Sequence, residues 1–124
     1  MRKLLAAVLL TAALIPATSF GDFETGHRLR GLCKDEMSSA NKGVCSGFIE
    51  EIVDGHNASV GLDFMEPSFS QPMSVTVGQS EKIVMKYMNE NPEKLHFAAA
   101  SLAQNALYAA FPASHKDGTY YCPE

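Results

Sequence analysis

The chain has 124 residues, 46% of them hydrophobic, and 14 acidic against 10 basic side chains give it a net charge of −4. The cations are scattered singly, which argues against a nucleic-acid partner, because phosphate backbones reward clustered Lys and Arg. A mild acidic excess suits either a basic protein partner or plain solubility of a small exported domain.

Residues 1–21 read as a cleavable export signal. Arg2 and Lys3 precede an apolar run from Leu4 to Ile15, and Pro16 breaks it ahead of small residues. That run is too short for a stable anchor, since a transmembrane helix needs about 20 apolar residues. Cleavage after Ser19 or after Gly21 satisfies the small-residue rule equally. No cysteine follows the run directly, as a lipoprotein would require, and no later segment is apolar enough to anchor in a membrane. Removal leaves one expected domain, 22–124, of about 103 residues, enough to bury roughly two thirds of its unfolded surface. All acids lie from Asp22 onward, so losing Arg2 and Lys3 takes the net charge from −4 to −6.

The spacing of apolar residues predicts helices. From Thr25, Leu29, Leu32 and Cys33 repeat at three and four, up to the polar stretch Ser38 to Lys42. From about Asn41, Val44, Phe48, Ile49, Ile52 and Val53 form a second stripe, with Asp54-Gly55 as its expected stop. Residues 57–74 carry Gly61, Pro67, Pro72 and several serines and read as an irregular loop. Thr76 and Gln79 fit a capping box that opens a third helix with Ile83, Val84, Tyr87 and Met88 on one side, ending near Asn91. Asn91-Pro92 reads as a break with immediate helical restart. Ala98 to Ala110 holds seven alanines with Leu102 and Leu107, so this helix admits close neighbours and belongs in the centre, closed by Phe111-Pro112. The fold class is all-α, a small bundle of four to five helices.

Three cysteines, Cys33, Cys45 and Cys122, are an odd number for a disulfide-permissive compartment. Spacing favours a Cys33–Cys45 staple across the first helical hairpin, contributing about 3 kcal/mol. Cys122 is then a free thiol in the tail. No metal or other cofactor is expected, because there is no C-x-x-C and His27, His56, His96 and His115 fall one per segment. Catalysis has little support. Cys122 with His115 lies in a terminal tail, no Ser sits in a G-x-S-x-G elbow, and Glu50-Glu51 with Asp54 reads as a solvated helix face. His56, after Gly55, reads as an exposed loop residue or a pH switch. Asn57-Ala58-Ser59 is a glycosylation sequon with meaning only in a eukaryotic secretory route.

In their order these features resemble the type VI secretion amidase-effector immunity family, the Rap/Tai group of small exported helical proteins. The resemblance rests on Thr25-Gly26, Leu29 to Cys33, Cys45-Ser46-Gly47-Phe48-Ile49 with Asp54, Val75-Thr76-Val77-Gly78-Gln79, Asn91-Pro92-Glu93-Lys94-Leu95-His96, and Ala98 to Pro112. Two family cysteines are replaced here by Ser70 and Ala113, and a family glycine by Glu51. If the two absent cysteines pair with each other in relatives, their joint loss leaves Cys33–Cys45 intact. Alternatively, Cys122 replaces one of them and pairs with Cys33 or Cys45.

The resemblance implies a periplasmic, non-enzymatic protein that binds a secreted peptidoglycan amidase and blocks its Cys-His active site. The expected partner-binding segment is Leu62, Asp63, Phe64, Met65 and Glu66, where large apolar residues appear without helical spacing beside two acids. The competing reading has Leu62, Phe64 and Met65 fold back as a lid on the core. From other functional classes, a periplasmic holdase or acid-stress chaperone and an envelope-complex subunit fit the same size and composition. Monomer and homodimer are both left open.

Overall fold

The structure, a computed structural model, describes residues 24–34, 36, 38–116 and 119–121, with the backbone path alone for 115–116 and 119–121. The export signal, its two cleavage points and Cys122 lie outside the described residues, as does the side chain of His115. Four α-helices form the bundle: α1 (Gly26–Leu32), α2 (Ser39–Gly61), α3 (Val77–Glu90) and α4 (Ala99–Ala110). A single 3-10 turn, Pro92–Lys94, links α3 to α4. Among the described residues the fold is all-α apart from an antiparallel ribbon of two short strands, β1 (Ser114–Lys116) and β2 (Thr119–Tyr121).

Side-chain caps set where α1, α2 and α3 begin. Thr25 Oγ1 accepts from the Arg28 N–H at 3.5 Å, and Ser38 Oγ accepts from the Asn41 N–H at 3.3 Å. At α3 both arms of the expected capping box are present. Thr76 Oγ1 accepts from the Gln79 N–H at 3.2 Å, and Gln79 Oε1 accepts from the Thr76 N–H at 2.8 Å. The Cys33–Cys45 disulfide joins the C-cap of α1 to the early part of α2, with Cα atoms 5.2 Å apart. It uses both thiols and so excludes pairing of either with Cys122.

Four expectations need correction. Helix α2 does not stop at Asp54-Gly55 but continues to Gly61. A mid-helix glycine costs only about 1 kcal/mol relative to alanine, and burying His56 on the face that carries Ile49 offsets it. The irregular segment therefore begins at Leu62 rather than Asn57. Val44 does not belong to the buried stripe; it is exposed, and the stripe begins at Cys45. Past Pro92 the chain does not remain helical, because residues 95–98 are claimed by the start of α1. Gly26 N–H donates to Phe97 O and His27 N–H to Leu95 O, each at 3.0 Å, while Ala99 N–H donates to Glu24 O, and Thr25 and Ala98 form an antiparallel bridge. Asn91 does not cap the turn; its Nδ2 donates back to Tyr87 O at 2.8 Å. The ribbon was not expected either. Thr119, Tyr120 and Tyr121 have high strand propensity, and Asp117-Gly118, a hairpin dipeptide, stands between the two strands in sequence.

The core centres on α4, whose Ala99, Leu102, Ala103 and Ala106 are buried in one cluster with Leu29, Ile49, Val84 and Met88, and whose Leu107 is buried as well. Small side chains let neighbouring backbones come close, and the tightest place is Gly26. A Cβ there would stand 2.3 Å from Leu102 Cδ1 and 3.0 Å from Leu95 O. Polar ties supplement the packing. Ser46 Oγ donates to the Glu81 carboxylate from α2 to α3, and buried Ser80 donates to Gln71 Oε1 at 3.0 Å.

Gly26→Ala is expected to lower stability by about 1–3 kcal/mol through overpacking. Gly55→Ala, with nothing within 4 Å of the added Cβ, should raise it by about 0.5–1 kcal/mol. Urea denaturation of the two variants checks the opposite signs. Replacing Cys33 and Cys45 together by alanine should cost about 2–5 kcal/mol, read as a fall in the thermal midpoint.

Candidate functional site

The longest irregular stretch between helices runs from Leu62 to Thr76, and its first part stands out from the bundle. Leu62 is 64% exposed, Phe64 79% and Met65 42%, and Asp63 and Glu66 are exposed beside them. Three large apolar side chains and two carboxylates thus share one short protrusion. The aromatic that does fold onto the core is Phe69, at 1% exposure.

Both feet of this protrusion are fixed. At the first, α2 ends in a Schellman-type cap: Asp63 N–H donates to Val60 O at 3.1 Å and Phe64 N–H to Ser59 O at 2.9 Å. The cap needs a left-handed residue, and Asp63, with φ of 56°, supplies it where glycine is usual. At the second foot, Phe69 pairs with Pro112 in an antiparallel bridge, and Ser70 N–H donates to Phe111 O at 2.8 Å. These contacts bring together the segments that carry Ser70 and Ala113, the two positions where the family pattern has cysteines.

Between the feet lies His56, which the sequence placed in a loop and the structure buries on α2 at 5% exposure. Its Nε2 accepts from the Ser68 N–H at 3.1 Å, and its ring stacks on Phe69 with centroids 3.9 Å apart. A signal for this was present, since His56 lies seven residues after Ile49 and so continues its stripe. His27 and His96 are exposed at other places, as are Glu50, Glu51 and Asp54 on α2. The structure brings none of these to the protrusion. Among the described residues no group of three or more His, Cys, Asp or Glu could hold a metal ion, and no helix is long and apolar enough to cross a membrane.

A protrusion of this kind can fill a cleft in another protein, and one comparison shows which kind of protein carries it. The model of the Rap1a immunity proteins matches residues 25–113, well over half of the chain. The chain belongs to the Rap1a immunity family. No curated protein and no solved structure matches it. As a Rap1a-type immunity protein it acts by binding a protein effector. The matched span takes in all four helices, the protrusion and both of its feet, and it ends just before the terminal ribbon.

Left-handed backbone distinguishes substitutions at Asp63. Asp63→Gly is expected to keep or slightly raise the thermal midpoint, whereas Asp63→Val should cost about 1–2 kcal/mol because a β-branched residue is strained there. Thermal denaturation of the two variants side by side decides it.

Proposed function

We propose that this immunity protein works in the periplasm, after removal of residues 1–21, by binding a peptidoglycan amidase delivered through type VI secretion. The segment Leu62 to Glu66 enters the amidase's active-site cleft and closes it to substrate. The observation that carries this reading is Phe64. A phenylalanine left 79% exposed beside two carboxylates has the make-up of an interface anchor, an apolar group that fills a pocket with charged neighbours that orient it. Burying such a side chain is worth about 1.5–3 kcal/mol, and the acids favour a cleft rimmed by cations. Inhibition of this kind needs no catalytic residue on the immunity protein.

The reading is tested by affinity capture with the tagged mature chain, residues 22–124, from periplasmic and secreted fractions of its source. One stoichiometric amidase whose hydrolysis of peptidoglycan stops on complex formation supports it. Many weakly bound clients, or none, would overturn it and move the weight to a holdase or to an envelope role.

Within the complex, Phe64→Ala should raise Kd by about 30-fold, a loss of about 2 kcal/mol, while leaving the thermal midpoint unchanged. Asp63→Asn keeps a residue suited to the left-handed position and removes only the charge. It should slow association, with the difference from wild type shrinking as salt is added. Titration calorimetry and stopped-flow mixing read the two effects.

A further inference from the structure

Resting on the reading of residues 62–66 as the effector-binding segment, we propose that His56 is its positioning residue. It acts from the core and holds residues 62–68 as a preformed wedge through Ser68 and Phe69. His56 is the one histidine among the described residues that is buried, and both edges and one face of its ring are engaged. Nε2 accepts from the Ser68 backbone N–H at 3.1 Å, so Nε2 carries no proton in this arrangement. The proton belongs on Nδ1, which faces Asn57 Oδ1 at 3.4 Å. The ring face lies on Phe69, tilted by only 18°.

Each contact does something an ordinary core residue would not. An apolar side chain at position 56 would fill the same space against Phe69, but it would leave the Ser68 N–H without its acceptor. Phe69 in turn pairs with Pro112, two residues past the end of α4, so the wedge is tied to α2 through His56 and to the segment that follows α4. Its other end is closed by the Schellman-type cap at Asp63. A segment clamped at both ends has met its ordering cost on folding, and that cost is not levied again when a partner binds. The side chains at 62–66 touch the partner; His56 sets where they stand.

The experiment is amide hydrogen exchange with 15N NMR on the mature chain and two variants, His56→Phe and His56→Gln. Glutamine carries an acceptor oxygen at roughly the reach of Nε2, whereas phenylalanine keeps the stacking and offers none. In the wild type the Ser68 amide is expected to be protected and Nε2 to show the 15N signal of an unprotonated ring nitrogen. His56→Phe should lower Ser68 protection at least tenfold while the amides of Val84 and Leu107 keep theirs, and His56→Gln should regain most of it. Equal exchange of Ser68 in all three proteins would overturn the proposal. So would a loss in His56→Phe that is as large at Val84 and Leu107 as at Ser68, or a protonated Nε2 in the wild type. If His56→Phe does not fold, the Nε2 signal and Ser68 protection in His56→Gln decide the matter. None of these readings involves the effector, so failure of the amidase reading would show in the capture experiment and leave them untouched.

Discussion

The bundle closes through a contact in which there is no room for a side chain. Gly26 lies against the backbone of Leu95 and the side chain of Leu102, and three backbone hydrogen bonds cross the same seam between residues 24–27 and 95–99. Helix α1 has seven residues, far too few to persist alone in water. It is held at its first turn by this seam and at its last by the disulfide to α2. With α1 fixed in this way, α4 is enclosed by α1, α2 and α3, and its alanines become an advantage rather than a loss of apolar area.

On this frame the protein separates two demands that exposed apolar residues usually bring into conflict. Phe69 and His56 are spent on the core, whereas Leu62 and Phe64, a few positions earlier, are left in water. The segment departs from the end of α2 and lands on Phe111 and Pro112, directly after the last turn of α4, so one foot is a helix cap and the other a backbone bridge just past a helix end. Side chains on the protrusion can therefore change without disturbing the packing beneath. Under the proposed reading of residues 62–66, the effector-binding side chains can thus change while the fold stays the same.

What the sequence made legible was the chemistry that acts over three or four residues. The capping box at Thr76 and Gln79, the stripe through Phe48, Ile49 and Ile52, and the alanine-rich close of the bundle are all patterns of that range. The Cys33–Cys45 pairing was accessible because its loop is short. What stayed hidden depends on partners far along the chain. Gly55 resembled a stop because the real stop, a left-handed Asp63, carries no glycine to mark it. Residues 95–98 look helical until the N–H groups of Gly26 and His27 take the carbonyls of Phe97 and Leu95. Local pattern does not tell Phe64 from Phe69 either; the choice between water and core is made by His56 and by Pro112, which lies 43 positions beyond Phe69 in sequence.

The left-handed backbone at Asp63 also restricts how the tip can evolve. Glycine, asparagine and aspartate occupy that conformation at the least cost, histidine is the other side chain enriched there, and lysine and arginine are not among them. Under the proposed reading of residues 62–66, a single exchange at this point can remove the negative charge facing the effector, whereas a lysine or arginine would be strained there. Backbone geometry thus makes divergence at position 63 directional, with helix termination setting which side chains the position accepts.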